Sequence, residues 1–407
     1  MDARVGKAGV TDEREVGLIS TGLNLLFSAG EASGDVHGAR LLRAILSRRP
    51  DCRAFGMGGA RLAAEGLEPI IRSEELSVVG IFEVFEKLPP LFRALTALRR
   101  EARRRRPDAA VLIDFPDFHA FLARTLERER IPLVYYVSPQ VWAWRKGRAR
   151  AIARRARRII TLFPFEVEIY RRLGADAVWA GHPLVDDVRE GLAEPAPLLQ
   201  KTRRRLLLLP GSRTAEIRRH WAPMAEAASN LARRLDLEVI ALRAPGVPEA
   251  LLAGAGERGI EVVSSGKHAL LNSADLAFVA SGTATLEGAL CGTPMIVVYR
   301  TSRASFAVGK RLVRVRWISL VNILAGEEVV PELLQGDVDA ATLEREGEDL
   351  LESPERLLRM RFELERVARQ LGPPGASDRA AEALLESIGA PSSAGRVTGG
   401  HGVERLA

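Results

Sequence analysis

Cysteine is scarce in this chain, and its thiols are isolated. Cys52 and Cys291 are the only two among 407 residues, and neither belongs to a CxxC pair or to a cluster with histidine. A disulfide framework and a zinc ribbon both need grouped cysteines, so both are excluded. The unpaired thiols predict a reducing, cytoplasmic setting.

Long apolar runs and the P-loop motif are also missing. No run approaches the roughly 18 residues that cross a bilayer, so the sequence predicts no spanning helix. The first twenty residues carry four acidic side chains and no apolar block, which argues against a signal peptide. GxxxxGK(S/T) does not occur, which weakens assignment to P-loop NTPases, and the GxGxxG spacing at 254–259 (GAGERG) does not directly follow a predicted strand, which weakens assignment to dinucleotide-cofactor enzymes.

Lysine is rare, and nearly all the positive charge is arginine. The chain has 59 cations against 52 carboxylates, a formal net charge of +7, and six of the cations are lysines. Arginines cluster at 103–106, and eight cations fall within residues 145–158. Such blocks suit nucleic acid, an anionic membrane surface or phosphorylated ligands. Solvated helix faces in an arginine-rich proteome are the alternative interpretation.

The remaining pattern is that of a two-domain α/β protein. Short apolar runs alternate with amphipathic helical stretches, which predicts parallel sheets covered on both faces. The predicted strands are residues 23–28, 109–113, 133–137, 159–162, 205–209, 237–242, 276–280 and 295–299. A proline-rich, charged break near 186–204 divides the series. We therefore expect two Rossmann-like domains facing a cleft.

The expected domain limits follow from that break and from the composition of the termini. They are a disordered leader (1–20), a first domain (21–186), a linker (187–204), a second domain (205–354), C-terminal helices (355–388) and a disordered Gly/Ser-rich tail (389–407).

Two turns after predicted strands of the second half favour a nucleotide. The turn LLPGSRT offers Gly211, Ser212 and Arg213 at a helix start, where free N–H groups, the helix dipole and a guanidinium suit an anion. The turn after residue 280 offers Ser281, Gly282 and Thr283, and Glu287 lies one turn into the helix, where a carboxylate can bind a ribose diol. An ordinary capped turn and a surface glutamate are the alternatives.

The first half has two strand-end loops that suit an acceptor and a base. In SAGEASGD, Gly30 and Gly34 open the loop, and Ser33 and Asp35 compete to cap the next helix. Asp114 directly follows a strand, where it is well placed as a general base, with Asp117 as its competitor. We interpret the neighbouring His119 as structural.

Taken in order, these segments resemble the lipid-A-disaccharide synthase family, from about residue 25 to residue 385. The matching segments are AGEASGD, LSVVGIFEV, VSPQVWAWR, FPFE, GHPLVD, LLPGSR, SGTATLE and SLVNILAGEEVVPELLQ. The resemblance implies a glycosyltransferase-B fold. It also implies an inverting transfer of 2,3-diacylglucosamine from its UDP derivative to 2,3-diacylglucosamine 1-phosphate (lipid X), which gives a β-1,6-linked disaccharide and UDP without a cofactor.

The resemblance also implies roles for individual residues. Asp114 matches the candidate base, Arg213 the arginine on the donor diphosphate, and Glu287 and Asn322 fall in nucleotide-associated segments. Ser33, with Gly34 and Asp35, matches the loop that positions acceptor or sugar. His182 and Asp186 lie near the expected hinge and receive no chemical role. No metal is expected, because the formal DxD at 337–339 is interpreted as a helix start.

The expected partners follow from the acylated substrates. A chain without a spanning helix that acts on lipids should bind the inner face of the cytoplasmic membrane peripherally, and residues 76–95 with the block at 145–158 are the expected contact face. The C-terminal helices have spacing suited either to return to the first domain or to exchange within a homodimer. Another UDP-sugar enzyme of the same fold, a peptidoglycan lipid-intermediate transferase or an epimerase, is the nearest alternative. Nucleic-acid binding is not expected.

Overall fold

The computed structural model describes residues 22–75, 88–138, 146–194, 201, 203–302, 306 and 316–390. The expected leader, and the expected tail apart from Gly389 and Ala390, lie outside these residues. So do the motif at 76–84 and most of VSPQVWAWR.

The first half of the chain is built on a seven-stranded parallel sheet with the strand order β3-β2-β1-β4-β5-β6-β7. The strands are β1 (Asn24–Ala29), β2 (Arg53–Gly58), β3 (Leu67–Arg72), β4 (Ala109–Ile113), β5 (Leu133–Tyr136), β6 (Arg158–Thr161) and β7 (Ala177–Trp179). The helices are α1 (Ala32–Arg48), α2 (Ala60–Ala64), α3 (Leu88–Arg105), α4 (Pro116–Arg128), α5 (Lys146–Arg155), α6 (Pro164–Arg171) and α7 (Leu184–Ala193).

The second half repeats this architecture on a six-stranded parallel sheet with the order β10-β9-β8-β11-β12-β13. Its strands are β8 (Arg204–Leu209), β9 (Leu237–Leu242), β10 (Ile260–Val263), β11 (Leu276–Ala280), β12 (Met295–Tyr299) and β13 (Glu332–Leu334). Its helices are α8 (Thr214–Leu235), α9 (Lys267–Ser273), α10 (Thr283–Leu290), α11 (Leu320–Ala325), α12 (Ala340–Leu351) and α13 (Pro354–Arg369). The predicted fold of two parallel α/β domains is confirmed.

Each central strand is buried on both of its faces. In β4, Val111 belongs to the hydrophobic core on one side of the sheet, and Ala110 and Leu112 belong to the core on the other side. This double burial explains why the strands read as continuous apolar runs. All eight predicted strands are present. The five that the pattern missed carry glycines (β2), a proline at the sheet edge (β3), or only three or four residues (β7, β10 and β13).

The C-terminal helices cross from the second half to the first. Helix α13 packs on α10 and α11, and the last helix, α14 (Ala376–Ser387), packs on α1. Asp186 accepts hydrogen bonds from the N–H groups of Gly375 (2.8 Å) and Ala376 (3.2 Å), and His182 N–H donates to Leu371 O (2.8 Å). The GHPLVD segment therefore anchors the start of α14. Among the described helices, none combines the length and apolarity needed to span a membrane.

Candidate active site

The loops that carry the predicted site residues lie where the order of the strands reverses. In the first sheet β1 lies beside β4, so the loop of Gly30 and Glu31 lies beside the loop of Asp114. In the second sheet β8 lies beside β11, which brings Gly211 to Arg213 close to Ser281 and Gly282. Open parallel sheets bind ligands outside the carboxyl ends of such strand pairs. Both halves therefore have a crevice in the position where a ligand is expected.

Asp114 is held in a strained turn. Asp114 (φ 53°) and Phe115 (φ 49°) are consecutive non-glycine residues in the left-handed region, which costs about 1–3 kcal/mol each. The Phe115 ring stacks on Phe118, with 5.4 Å between the ring centroids, and it lies so close to Gly30 that a Cβ there would be 2.2 Å from Phe115 Cδ1. Close packing of this ring against glycine stabilises the strained backbone.

The Asp114 carboxyl lies in a largely desolvated position. Burial raises its pKa, whereas hydrogen bonds from the Phe115 N–H and from the side chain of Ser33 favour the ionised form. Ser33 and Asp114, both predicted site residues, are thus in direct contact. The prediction that Ser33 or Asp35 caps α1 was wrong. The helix starts at Ala32, with Glu31 at the capping position and no side-chain cap.

His119 holds the loop that carries Asp114 in place. The ring is fully buried, its Nε2 lies 2.9 Å from Ser28 Oγ, and it also contacts backbone groups of Asp114 and Ser28. Burial lowers the pKa of His119 to about 3, so the ring is neutral at physiological pH. It ties the end of β1 to the end of β4, as expected for a structural histidine.

Asp35 and Gly34 contact neighbouring secondary-structure elements of the first half. Asp35 is buried, and its carboxylate accepts N–H groups of Gly59 (2.7 Å), Arg61 (3.0 Å) and Leu62 (3.0 Å) at the start of α2. At Gly34 a Cβ would lie 3.4 Å from Ile113 O. Asp35 therefore caps α2, and Gly34 allows α1 to approach β4 closely.

The turn between β8 and α8 presents Arg213 to solvent. Gly211 has φ 120°, and the Arg213 side chain is 79% exposed while its Nη1 lies 2.8 Å from Glu216 Oε1. Arg213 occupies the capping position of α8 without a side-chain cap, so neither Ser212 nor Thr214 serves as the cap. His220 spans the ends of two strands, pairing its Nδ1 with Pro210 O and accepting Arg300 N–H at Nε2, both at 3.0 Å. The hydrogen bonds of His220 therefore hold this turn in place, while the side chain of Arg213 is accessible to a ligand.

Glu31 is the residue that sequence reasoning missed. Partial desolvation and the negative charge of Asp114 raise the pKa of Glu31, and the positive charge of Arg213 lowers it. Glu31 thus lies within electrostatic range of one site residue from each half. Its position two residues after the end of β1, in the glycine-containing loop beside Asp114, is the signal that could have identified it.

The turn between β11 and α10 (281–283) is accessible to solvent, whereas Glu287, one turn into α10, is buried and paired. Gly282 has φ 152°, and a Cβ there would meet no atom of the described residues within 4 Å. Thr283 is exposed, and the Ser281 hydroxyl donates to Ile318 O (3.3 Å). Glu287 is buried, forms an ion pair with Lys267, and is hydrogen-bonded to His268 Nε2 at 3.3 Å. Burial works to raise the pKa of Glu287, but the hydrogen bond from His268 and the charge of Lys267 hold it below its usual value.

The side-chain amide of Asn322 forms four hydrogen bonds within the second half of the chain. Its Nδ2 donates to Val330 O (2.8 Å) and Glu332 Oε1 (2.9 Å), and its Oδ1 accepts N–H groups of Val329 (2.8 Å) and Val330 (3.0 Å). Its side chain is completely buried. The amide thus fastens α11 to β13, and its contribution to a nucleotide site is to hold that segment in place.

Two further acidic candidates have structural partners. Asp117 is 79% exposed and forms an ion pair with Arg148. Asp339 caps α12, accepting the N–H of Thr342 at 2.9 Å and its hydroxyl at 2.8 Å, so the interpretation of the DxD as a helix start is confirmed.

Comparison with known proteins agrees with this architecture and with the motifs. Residues 25–386 match the family model described as lipid-A-disaccharide synthetase. The lipid-A-disaccharide synthase of Myxococcus xanthus is 41% identical over 380 residues, covering 89% of this chain and 97% of that protein. The synthase of Geobacter sulfurreducens is 39% identical over 379 residues, covering 91% and 98%.

Solved structures show the same fold at low sequence identity. A putative UDP-N-acetylglucosamine 2-epimerase from Listeria monocytogenes superposes with a TM-score of 0.62 at 15% identity, covering 91% of this chain and 99% of that one. The calicheamicin glycosyltransferase CalG4 gives a TM-score of 0.60 at 16% identity, covering 91% and 99%. These likenesses concern the fold alone, and the epimerase alternative gains no support from them. Because the family match and the relatives near 40% identity span about nine-tenths of its length, the chain belongs to the lipid-A-disaccharide synthase family.

Proposed function

We propose that this enzyme transfers 2,3-diacylglucosamine from UDP-2,3-diacylglucosamine to the 6-hydroxyl of 2,3-diacylglucosamine 1-phosphate. The observation that carries the proposal is the position of Glu31, whose pKa responds to both Asp114 and Arg213. A carboxylate that can act as base and a guanidinium that can hold a diphosphate thus lie on opposite sides of one cleft. An in-line displacement at a sugar carbon between two substrates needs this arrangement.

In the proposed step, Asp114 takes the proton of the acceptor 6-hydroxyl. The oxygen forms a bond to the anomeric carbon as the bond from that carbon to the diphosphate breaks, which inverts the centre and releases UDP. Burial raises the pKa of Asp114, which makes it a stronger base than an exposed aspartate. Ser33 is a positioning residue, because its side chain fixes the carboxylate.

The negative charge that develops on UDP is proposed to be stabilised by Arg213 and by the amides of the turn from Gly211 to Thr214. The start of α8 has no side-chain cap, so its N–H groups and the dipole of a 22-residue helix are available to an anion. Ser281, Gly282 and Thr283 border the same crevice, and Glu287 is the candidate carboxylate for the ribose. Preorganised donors of this kind contribute on the order of 100-fold each in rate.

The acylated substrates also imply where the enzyme works. We propose peripheral binding to the anionic inner face of the cytoplasmic membrane, because a donor and an acceptor with acyl chains reside there. A homodimer is a further proposal, and it does not need exchange of the C-terminal helices, because α14 packs on α1 of the same chain. Sedimentation equilibrium of the purified chain tests it, and a monomer at micromolar concentration would contradict it.

The test of the reaction is UDP release in detergent micelles, with and without the acceptor lipid and with EDTA. We expect UDP only when the acceptor is present, and no effect of EDTA. Asp114→Asn should lower kcat by on the order of 100- to 10,000-fold. Asp117→Asn is the matched control, since it makes the same chemical change three residues away on an exposed side chain, and its rate should stay within a few-fold.

Each other outcome contradicts a defined part of the proposal. Activity retained in Asp114→Asn would assign the base elsewhere. UDP released without acceptor, or conversion of the donor sugar to an epimer, would refute the transfer itself.

A further inference from the structure

Two basic side chains at the start of α9 contact the buried carboxylate of Glu287. Lys267 Nζ forms an ion pair with Oε2, and His268 Nε2 lies 3.3 Å from Oε1. An ionised carboxylate accepts hydrogen bonds and cannot donate them, so His268 Nε2 carries a proton and donates it. Each oxygen of Glu287 is therefore bound by a different residue of α9, which fixes the orientation of the carboxylate.

The same two contacts keep this carboxylate ionised. Burial works to raise the pKa of Glu287, but the hydrogen bond from His268 and the charge of Lys267 hold it below its usual value. Each oxygen of an ionised carboxylate offers two lone pairs. Within the described part of the chain, Lys267 takes one lone pair of Oε2 and His268 one of Oε1. One lone pair on each oxygen is left, which matches the two neighbouring hydroxyls of a ribose.

Glu287 lies on the face of α10 that leads to the crevice of the second half. Thr283 and Glu287 are four residues apart in this helix, so their side chains are neighbours on one face. Thr283 is exposed and belongs to the turn that borders the crevice. A nucleotide that contacts this turn therefore has Glu287 one helical turn away.

Helix α9 is itself held in place, as a positioning role requires. The Thr293 hydroxyl donates to Leu271 O at 2.7 Å, which ties α9 to the segment after α10. The Nδ1 side of the His268 ring lies against α7, because a Cβ at Gly191 would be only 2.1 Å from Nδ1. The ring is thus confined between Glu287 and the backbone of α7, so it has little freedom to turn away from the carboxylate.

A second carboxylate near His268 has a cation of its own. Burial raises the pKa of Asp187 in α7, and the charges of Glu287 and His268 also act on it, so these groups are close in space. Asp187 forms an ion pair with Arg40 of α1. Since Arg40 compensates Asp187, His268 remains the partner of Glu287.

We propose that Lys267 and His268 are positioning residues that hold Glu287 ionised and oriented toward both ribose hydroxyls, and that they make the nucleotide site selective for ribonucleotides. The inference rests on the proposed function, because it places the ribose of UDP at Glu287. A site whose acceptor is fixed toward two hydroxyls rejects a nucleotide that lacks one of them, because a buried acceptor is then left without its partner. A carboxylate that is free to turn loses this selectivity.

The test is titration calorimetry of the full-length chain with UDP and with 2′-deoxy-UDP. The wild type should bind UDP on the order of 10- to 100-fold more tightly, as expected for one hydrogen bond to a charged group. His268→Ala and Lys267→Met should each bring this ratio to within a few-fold of one. His268→Gln should restore most of it, because the glutamine amide can donate from about the position of Nε2.

Two further variants make the result specific. Lys201→Met is the matched control, because Lys201 is as exposed as Lys267 and also pairs with a carboxylate, that of Asp275 at the opposite end of β11. It should keep the wild-type ratio. Gly191→Ala leaves every polar group intact but pushes the His268 ring away from α7, so it should lower the ratio as well.

The ratio distinguishes a positioning role from a structural one. A structural role would weaken both nucleotides by the same factor, and that result in His268→Ala would overturn the proposal. A wild-type ratio in His268→Ala or Lys267→Met, or a ratio near one in the wild type, would overturn it as well. In the micelle assay His268→Ala should raise KM for the donor and leave kcat within a few-fold, because the ribose lies away from the reacting carbon. A wild type that shows the expected ratio but releases no UDP would refute the proposed reaction and leave the positioning roles standing.

Discussion

Replacing Gly30 with alanine tests whether the Phe115 ring holds the proposed base. A Cβ at this position would lie 2.2 Å from Phe115 Cδ1, 2.5 Å from Cγ and 2.6 Å from Cε1. Ordinary contact needs about 3.5 Å or more, so the ring must retreat by more than about 1 Å. Gly30 does not have a positive φ, so alanine fits its backbone and the clash with the ring is the whole perturbation.

The displacement should reach Asp114, because Phe115 is its neighbour in the same strained turn. Misplacing a reacting group by about 1 Å costs on the order of 100-fold in rate, and overpacking costs about 1–3 kcal/mol of stability. We expect Gly30→Ala to lower kcat on the order of 100-fold. Binding of UDP, measured by titration calorimetry, should be unchanged because the second half carries that site.

Two further variants make this result specific. Gly256→Ala is the matched control, since a Cβ there would meet no atom of the described residues within 4 Å and its φ is not positive, and it should retain the wild-type kcat. Gly30→Ala/Phe115→Ala removes the ring that the new methyl strikes, so it should be more active than Gly30→Ala alone. Wild-type kcat in Gly30→Ala, or no gain in the double variant, would refute the reasoning.

Three other predictions concern single side chains. Ser33→Ala removes a hydrogen bond that favours the ionised carboxylate, so the pKa of Asp114 should rise and the acid limb of the kcat/KM profile should move to higher pH; an unmoved limb would contradict the contact. Arg213→Gln should lower kcat/KM on the order of 100-fold and weaken UDP binding, as calorimetry would measure. Asn322→Leu should lower the free energy of unfolding by about 3 kcal/mol in urea titrations, because Glu332 and three backbone groups lose their partner; an unchanged midpoint would show that the bonds are dispensable.

The sequence predicted the class of fold and the loops that matter, because both depend on short-range patterns. Central strands buried on both faces appear as continuous apolar runs, and glycine and serine after them mark turns open to a ligand. Edge strands give weaker patterns, which is why β3, with Pro69, and the three-residue β13 were missed. The start of α1 was also misjudged, since competing caps at Ser33 and Asp35 obscured a helix that begins at Ala32.

Roles of individual polar side chains were less predictable. Asp35 was expected beside the acceptor and Asn322 beside the nucleotide, yet the described structure has each satisfied by backbone groups of its own half. Glu31 was not singled out, although the charges of both Asp114 and Arg213 act on its pKa. A motif indicates that a segment belongs to a site, but which side chain faces the ligand depends on what surrounds it.

The sequence by itself therefore determined two parallel α/β halves, their family, and the strand ends from which the site is built. Only the tertiary structure decided that β1 lies beside β4 and β8 beside β11, which brings distant loops into two crevices. It also decided that the buried Asp35 caps α2, and that Arg148, Arg155 and Arg158 of the block at 145–158 pair with Asp117, Glu127 and Asp176. The physical reason is that periodicity reports the burial of each residue along one element, whereas pairing and charge compensation depend on contacts between residues far apart in the chain.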